Sequence, residues 1–557
     1  MRIVTSHFLI SIVAASPSIR FDSDGKYLHG QYVTVRWAGV DIRDRSSCWL
    51  GLFFHGANLS YAGKSPFPAS PPFLESAPIK FISCSSGNNN FIRAGAGSRS
   101  IRLLAYRTPL EAAIFSGGYT ADSVPKLLAR SHTPMVASDG AEPRYPRLAR
   151  TRVGDEMSLT WSSLDRHSTL AELLLSNGSL HQQVWSTVNT YNASSLCQSP
   201  ANSSGFADPG FHHNVVFKAL RPGKYFYRVD SLQGSFSTSD SKSVRIGVIA
   251  DVGATEPDGL HYHWEEPMAS TTYNLTFGRK PDLVLHLGDL SYATGYAAKW
   301  DLFLDQMTLI SARVPYMTAL GNHEQDVGRN SSWPPRPESV PHALGENDSG
   351  GECAIPTYTR FPMPVESDQA SGWYHFSYGP VAFVILNSEW NVSAGSRQHS
   401  FLRRALRSID RSVTPWVVVG CHRPIYDVLG RADSMLGRDD VEDLLQEFEV
   451  DFMLYGHIHN AQRTCPIYRS KCTRAKEIGG FPGTVHAVIG NGGEGLTPFP
   501  KQRSPWSLFQ EFGWGFNELE VNLTTAVLRF FGDNGTLLDE TAHIRPFPRS
   551  ESMNIVV

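Results

Sequence analysis

The chain lacks any run of about 18 consecutive apolar residues, the length that a helix needs to cross a bilayer, so we expect no membrane-spanning helix. It also lacks a strong charge of either sign, since 50 basic and 53 acidic residues give a formal net charge of −3. That balance excludes a global attraction to nucleic acid or to an anionic membrane surface. No Cys-x-x-Cys pair occurs, which argues against zinc-finger or thioredoxin-like chemistry.

The length of 557 residues predicts about two to four domains, and 41% hydrophobic with 18% charged residues is the composition of a globular chain. Long helical periodicity is missing from the first part. Residues 20–133 predict a small β-sandwich, with Gln31–Trp37 as one alternating strand. After a linker rich in Pro, Gly and Asp, residues 146–243 predict a second sandwich. There a Pro-Gly turn leads into the alternating strand Lys224–Val229, a pattern typical of fibronectin type III-like domains.

From Val244 onward short apolar runs alternate with helical patterns, which predicts a layered α/β domain over residues 244–548. The apolar runs are short and continuous, as expected of strands buried on both faces of a sheet. They are Val244–Ala250, Asp282–Leu287, Pro315–Leu320, Val381–Leu386, Trp416–Val419, Asp451–Tyr455 and Thr484–Ile489. Apolar residues at helical spacing predict helices around 401–409 and 441–448, and alternation over 515–532 predicts a hairpin.

The first 15 residues carry one basic residue, a short apolar stretch and small residues at the end. This pattern fits a secretory signal and, equally, a first β-strand. Asn-x-Ser/Thr sequons, which are sites for N-glycosylation in secreted proteins, favour the signal. They begin at Asn58, Asn177, Asn192, Asn202, Asn274, Asn330, Asn347, Asn391, Asn522 and Asn534. We therefore expect a signal peptide at 1–15 and a secreted, extracellular, vacuolar or cell-wall protein.

The chain has seven cysteines, and an odd number leaves at least one thiol unpaired. Cys465 and Cys472 bracket a short polar loop and are expected to form a disulfide, and Cys48 pairs plausibly with Cys84 within one small domain. Cys421 lies inside an apolar run and is expected to be free and buried.

Polar side chains follow five of the predicted strands, at the points where the strands end. In chain order they are Asp251, then Asp289 and Tyr292, then Asn322 and His323, then His422 and Arg423, then His457 and His459. A lone histidine is more often a core residue than a ligand, and a strand-ending aspartate is usually a cap. Five such motifs together are different, because ligands bind beyond the carboxyl ends of the strands in sheets of this kind. Glycine precedes several of these donors, where it lets the backbone turn sharply.

The donor types predict a site for two metal ions. Two cations roughly 3.5–4 Å apart need a bridging anion and hard or borderline donors around them. Carboxylate and imidazole groups suit Fe, Zn or Mn, and the phenol of Tyr292 favours Fe(III).

The same residues resemble the five-block signature of the purple acid phosphatases, which are members of the calcineurin-like metallophosphoesterase superfamily. The five blocks are Asp251-x-Gly, Gly288-Asp289-x-x-Tyr292, Gly321-Asn322-His323-Glu324, Val419-x-x-His422 and Gly456-His457-x-His459. Outside them, Asp208–Phe211, Asp348–Cys353 and Arg463–Tyr468 are similar to the large plant-type subgroup that has an extra N-terminal domain and includes nucleotide pyrophosphatase/phosphodiesterase-like members. The resemblance spans nearly the whole chain after about residue 30 and implies a four-layer α/β/β/α catalytic domain behind two β-sandwich domains.

The resemblance also implies a role for each residue of the site. Asp251, Tyr292 and His459 would hold Fe(III), Asp289 would bridge, and Asn322, His422 and His457 would hold a divalent ion (Zn, Mn or Fe(II)). His323 would contact the phosphate or the leaving group of the substrate. Arg423 is our own candidate for an added phosphate contact, because a guanidinium fits two phosphate oxygens. The alternative for Arg423 is a surface salt bridge.

The implied activity is that of an acid phosphatase with two metal ions, in which metal-activated hydroxide attacks phosphorus in line with the leaving oxygen. Its substrates would be nucleotide di- and triphosphates, aryl phosphates or sugar phosphates. The chain departs from the family at Ala250, where glycine is usual, and more seriously it lacks the pair of adjacent histidines that many plant members carry after the fourth block. The alternative is therefore a weakly active or inactive homologue that keeps the metals and acts in binding. A carbohydrate-binding or adhesion role for the sandwiches would leave the metal donors unexplained.

Overall fold

A computed structural model describes residues 16–61, 74–88, 90–118, 123–238, 242–260, 278–325, 348–366, 372–428, 438–473, 481–501 and 503–544. The predicted signal peptide at 1–15 lies outside these residues. The chain divides into two compact units, residues 1–139 with 256–263 and residues 140–255 with 264–557. Among the helices of the described residues, none has both the length and the apolar character that a membrane span requires.

The first unit is built of β-strands, as the alternating pattern of its sequence predicts. The strands are β1 Ser18–Phe21, β2 Lys26–Tyr27, β3 Gln31–Ala38, β4 Cys48–Phe54, β5 Lys80–Ser83, β6 Gly97–Leu103, β7 Leu110–Ser116, β8 Lys126–Arg130 and β9 Val136–Ala137, with short helical turns at Arg45–Ser47 and Phe91–Ala94. They form sheets in the orders β1–β3–β6, β5–β4–β7–β8 and β2–β9. Trp49 stacks on Phe115 in the core with ring centroids 4.3 Å apart, and the predicted disulfide between Cys48 and Cys84 is present.

A buried ion network holds the segment around residues 256–260 as part of this unit. Lys80 is fully buried, and its Nζ lies 2.7 Å from Asp258 Oδ2 and 3.5 Å from Glu256 Oε2. Arg102 Nη1 lies 3.1 Å from the other oxygen of Glu256. Because a buried charge left without its partner costs several kcal/mol, these pairs keep the segment in place.

The second unit begins with a sandwich of two antiparallel sheets. Its strands are β10 Arg144–Arg150, β11 Met157–Ser163, β12 Leu170–Leu175, β13 Leu180–Trp185, β14 Thr187–Asn189, β15 Phe211–Phe217, β16 Gly223–Val229 and β17 Leu232–Thr238, with a helical turn at Ala193–Ser195. The sheet orders are β10–β11–β15–β14 and β13–β12–β16–β17. The predicted alternating strand is confirmed within β16, where Tyr225 and Tyr227 pack into the core and Phe226 faces outward. The period of two places every other side chain between the sheets.

The remainder of the second unit contains two larger sheets. Its strands are β18 Ser243–Ile249, β19 Leu283–Leu287, β20 Tyr316–Ala319, β21 Tyr374–Tyr378, β22 Val381–Ile385, β23 Trp416–Gly420, β24 Phe452–Tyr455, β25 Ala461–Tyr468, β26 Lys471–Cys472, β27 Thr484–Ile489, β28 Ser507–Glu511, β29 Gly515–Asn522, β30 Thr525–Gly532 and β31 Leu537–Ile544. Its helices are Ala298–Ser311, Ile355–Arg360, Arg397–Ser408 and Arg438–Glu447. All seven predicted apolar runs coincide with strands to within one residue at each end, and the predicted hairpin is β29–β30.

The two sheets and their helices form the predicted layers. The six-stranded sheet has the order β20–β19–β18–β29–β30–β31, and the eight-stranded sheet has the order β21–β22–β23–β24–β27–β25–β26, with β28 paired to β25. Helices Arg397–Ser408 and Arg438–Glu447 pack their apolar faces on the eight-stranded sheet. Helix Ala298–Ser311 packs on the six-stranded sheet, where the Phe303 ring meets that of His286. This helix shows no amphipathic pattern because ten of its fourteen residues are buried, so its sequence did not predict it.

Candidate metal centre

The predicted donors lie at neighbouring strand ends of the two large sheets. Asp251, Asp289 and Asn322 follow β18, β19 and β20, which are adjacent and parallel in the six-stranded sheet. His422 and His457 follow β23 and β24, which are adjacent and parallel in the eight-stranded sheet. Because parallel strands end at the same edge of a sheet, each sheet presents its donors together.

Two groups of ligand atoms share the carboxylate of Asp289. Asp289, His422 and His457 each offer one atom, and these atoms lie within 4.8 Å of one another. Asp251, Asp289 and His459 form a second group that meets the same limit. A carboxylate common to two overlapping groups has two oxygens and is suited to contact two cations at once.

The two remaining donors each join one of these groups. Asn322 Oδ1 lies 3.0 Å from His422 Nε2 and 3.0 Å from His457 Nδ1. The Tyr292 hydroxyl lies 3.2 Å from Asp251 Oδ1 and 3.1 Å from His459 Nε2. The structure therefore brings all seven predicted donors together, in the two sets that the resemblance implied.

Four of these donors adopt a left-handed backbone conformation. The φ angle is 57° at Asp251, 49° at Asp289, 48° at Tyr292 and 69° at His457. For residues with a Cβ this conformation costs about 1 kcal/mol or more, and it persists where the surrounding structure enforces it. Its occurrence at four of the seven donors makes this group of side chains a candidate functional site.

The glycines beside the donors provide space as well as a turn. A Cβ on Gly288 would lie 2.6 Å from His422 Nδ1, and a Cβ on Gly456 would lie 2.5 Å from Asp251 Oδ2. Gly288 has a φ of 85° and so also needs glycine for its backbone. The φ angle of Gly456 is not in this range. Glycine is needed at this position because the loops that follow two strands approach each other closely, and not for the sharp turn that the sequence predicted.

Opposite charges dominate the electrostatics of the site. Burial alone would lower the pKa of His422, but the carboxylates of Asp289 and Asp251 outweigh burial and raise it to about 10. Burial likewise opposes the charge on His459, whose pKa rises to about 9 because of Asp251. Burial and the charge of Asp251 raise the pKa of Tyr292 well above its usual value. Carboxylates that draw protons onto neighbouring imidazoles in this way attract metal cations for the same reason.

Backbone carbonyls orient two of the imidazoles. His422 Nδ1 donates to Leu287 O at 2.9 Å, and His459 Nδ1 donates to Gly495 O at 2.8 Å. With the proton on Nδ1, the lone pair of a neutral ring lies on Nε2, which faces the donor group. Both rings are therefore held in the orientation that a metal ligand needs.

Arg423 forms a buried ion pair. Its Nε lies 2.9 Å and 3.1 Å from the two carboxylate oxygens of Glu389, and its Nη1 donates to His457 Nε2 at 3.1 Å. Only 6% of the Arg423 side chain and 1% of the Glu389 side chain are exposed. The alternative of a surface salt bridge is therefore wrong, because the pair is buried within the site.

Three acidic residues contact the site without a role assigned to them from the sequence. Glu324 accepts the backbone N–H groups of Asp289, Leu290 and Gly321 at 2.7 to 3.0 Å, and so ties the loops of two donors together. The other two are Glu389 and Asp348, of which Asp348 contacts Asn322. Glu389 follows the apolar strand β22 as the predicted donors follow theirs, so the same pattern would have found it.

The donor set fits a pair of metal ions. Its carboxylate, imidazole, amide and phenol groups are the hard and borderline ligands that iron, zinc and manganese take. Five of the donors fall into two groups with one shared carboxylate, and Asn322 and Tyr292 each contact one group. This is the arrangement that a dinuclear centre requires.

Comparison with known proteins agrees with this fold. Residues 244–461 match the family described as calcineurin-like phosphoesterase, and residues 483–540 match the family described as iron/zinc purple acid phosphatase-like protein C. The chain is 30% identical to the solved structure of purple acid phosphatase PPD1 from yellow lupin (Lupinus luteus) seeds. The two structures superpose with a TM-score of 0.85 over 95% of this chain and 96% of the other.

Two curated plant proteins are also similar. "Probable inactive purple acid phosphatase 1" of Arabidopsis thaliana is 34% identical over 539 residues, which cover 91% of this chain and 84% of the relative. "Nucleotide pyrophosphatase/phosphodiesterase" of Hordeum vulgare is 35% identical over 288 residues, which cover 49% of this chain and 75% of the relative. By these matches, the chain belongs to the purple acid phosphatase family.

Proposed function

We propose that the protein is a hydrolase with two metal ions that cleaves phosphate esters and phosphoanhydrides. The observation that carries this proposal is the pair of donor groups that share Asp289. Asp251, Tyr292 and His459 would hold Fe(III), and Asn322, His422 and His457 would hold Zn, Mn or Fe(II). When bound, such a pair of cations lowers the pKa of a water molecule and neutralises charge on the transferring phosphoryl group.

His323 is the imidazole that we propose to contact the substrate. Its ring centroid lies 4.7 Å from that of Tyr292, and its Nε2 lies 4.0 Å from Asp289 Oδ2. The His323 side chain is 18% exposed, against 1% for Asp289, so it is the more accessible of the two to a substrate. An imidazole at this place is suited to donate a proton to a leaving oxygen.

We propose that Arg423 contacts the phosphate of the substrate and that Glu389 fixes its guanidinium for this contact. The ion pair with Glu389, in which Arg423 Nε contacts both carboxylate oxygens, holds the guanidinium beside His457. A fixed guanidinium presents its N–H groups to phosphate oxygens without losing further side-chain freedom on binding.

A metal-bound but weakly active protein is the second candidate. Two observations favour it: the missing pair of histidines after His422, and the "probable inactive" in the name of the Arabidopsis relative. Both candidates keep the metals, so metal binding alone does not separate them.

Turnover separates the two candidates. We expect the purified protein to hydrolyse at least one of nitrophenyl phosphate, ADP and ATP, and we expect Asn322→Ala to lower that rate at least about 100-fold through loss of a metal ligand. The measurement is phosphate release at saturating metal. A wild-type rate no higher than that of Asn322→Ala on every substrate would favour the inactive homologue.

We also propose that the protein is secreted. Six cysteines form the disulfides Cys48–Cys84, Cys197–Cys353 and Cys465–Cys472, and Cys421 is free and buried, as the sequence predicted. Disulfides persist in oxidising compartments, and the ten sequons offer sites for glycan. Intact-mass spectrometry of the protein from its natural source should show a mass that falls with glycosidase treatment. A chain without glycan and with reduced cysteines would overturn the proposal.

A further inference from the structure

Asp348 contacts the side chain of one proposed metal ligand and the ring of its neighbour. Asn322 Nδ2 donates to Asp348 Oδ2 at 2.9 Å, and His323 Nδ1 donates to the Asp348 backbone carbonyl at 3.0 Å. Asp348 lies 26 residues from Asn322 in the chain, and the sequence pattern gave it no role.

The carboxylate of Asp348 determines which way the Asn322 amide points. An asparagine amide carries an acceptor oxygen on one side and a donor NH₂ on the other, and the two have nearly the same shape. An ionised carboxylate only accepts hydrogen bonds, so it takes the NH₂ side. The amide oxygen is thereby turned toward His422 Nε2 and His457 Nδ1, each 3.0 Å away. A metal ion requires this orientation, because the oxygen is the ligand atom.

Asp348 lies on a segment that a disulfide and hydrogen bonds anchor to the rest of the second unit. The disulfide between Cys197 and Cys353 joins the segment to the sandwich, and Cys197 N donates to Gly351 O at 2.9 Å. The buried carboxylate of Glu352 accepts Trp300 Nε1 at 3.0 Å. A residue on such a segment keeps its position without a metal ion, so the Asn322 amide is oriented before the ion binds.

We infer that Asp348 is a positioning residue that orients the Asn322 amide and thereby increases the affinity of the site for its divalent ion. The inference rests on the proposed function, because it takes Asn322 as a ligand of that ion. Asp348 acts on one of the two donor groups, since neither Tyr292 nor His459 contacts it among the hydrogen bonds of the described residues. Substitution of Asp348 should therefore weaken the binding of the divalent ion and leave Fe(III) in place.

The substitution Asp348→Asn tests the inference because it keeps the size and shape of the side chain. The probe is Zn²⁺, titrated in competition with a chelator into protein that retains iron but not its divalent ion. We expect the apparent Kd for Zn²⁺ to rise about 10- to 100-fold, the usual effect of removing a group that orients a metal ligand. The visible absorption band of the iron and Tyr292 should keep its position and intensity. Unchanged Zn²⁺ affinity would overturn the inference, and so would a loss of both metals together.

A reciprocal exchange provides a stricter test. In the double variant Asn322→Asp/Asp348→Asn the amide and the carboxylate change places, so the amide again donates to the carboxylate and an oxygen again faces the imidazoles. We expect the double variant to bind Zn²⁺ at least about tenfold more tightly than Asp348→Asn alone. A purely structural role for Asp348 predicts no such recovery, and a double variant that binds no better than the single one would overturn the inference. If Asp348→Asn does not fold, recovered folding and Zn²⁺ binding in the double variant support it, and failure of both overturns it.

Metal binding by the wild type and by Asp348→Asn distinguishes failure of the proposed function from failure of this inference. Wild-type protein that binds neither iron nor Zn²⁺ would contradict the proposed function, and this inference with it. Wild-type protein that binds both metals, with an Asp348→Asn variant of equal Zn²⁺ affinity, would contradict the inference alone.

Discussion

Asp289→Asn is expected to remove both metal ions and to lower kcat/KM about 10⁴-fold. Asp289 is the one residue shared by the two donor groups, and its side chain is 1% exposed. The amide would replace a charged bridge by a neutral group with a single oxygen. Metal ions contribute several kcal/mol of charge stabilisation to the transition state, and each 1.4 kcal/mol corresponds to a factor of ten in rate. Elemental analysis of the variant and kcat/KM for nitrophenyl phosphate measure the two effects.

Asp282→Asn is the matched control for this variant. Asp282 directly precedes β19, the strand that Asp289 follows, and its carboxylate accepts Arg245 N at 2.8 Å. Asp282 is exposed and lies at the opposite end of the strand from the donor groups. The metal content and the rate of the Asp282→Asn variant should therefore equal those of the wild type. An Asp289→Asn protein that keeps two metals, or a rate within tenfold of the wild type, would contradict the assignment of the bridge.

His323→Ala is expected to lower the rate most on substrates with a poor leaving group. Removal of a proton donor typically costs about 10²- to 10⁴-fold, and a leaving group that is already a good anion needs the proton least. The chain lacks the histidine pair that many plant relatives carry, which leaves His323, whose side chain is 18% exposed, as the partly open imidazole beside the donors that is not itself a proposed metal ligand. We therefore expect the wild type to prefer ATP, pyrophosphate linkages and nitrophenyl esters over glycerol phosphate.

The measurement is kcat/KM for ATP and for glycerol phosphate in wild type and in His323→Ala. The ratio between the two substrates should rise further in the variant, because the alkyl ester loses more. The buried His286, whose Nδ1 is hydrogen-bonded to the Tyr316 hydroxyl at 2.6 Å, supplies the control His286→Gln, for which the ratio should not change. Better turnover of glycerol phosphate than of ATP in the wild type would refute the argument from leaving groups, as would equal rates with and without His323.

The strand ends of the site could be predicted from the sequence because they depend on local pattern and one general rule. Apolar runs locate the strands, and the carboxyl ends of parallel strands meet at one edge. Asp251, Asp289 and His457 followed from that reasoning alone. The division of the seven donors into two groups came from the resemblance to the family, and the contacts of Tyr292 and Asn322 agree with that division.

Other parts of the site depend on contacts between distant segments, which a local pattern does not contain. Cys197 and Cys353 are separated by 156 residues, and nothing near either cysteine indicates the other. Arg423 carries no sign in the sequence that Glu389, 34 residues away, would bury it. Glu324 was visible within a motif, but its role appears only when three backbone N–H groups from two loops converge on it.

Metal analysis of the purified protein, together with its absorption spectrum, tests the central claim most directly. We predict about two metal ions per chain, one of them iron, and a visible band that Tyr292→Phe removes because the phenolate is its source. A single metal per chain, or zinc without iron and no visible band in the wild type, would contradict the account.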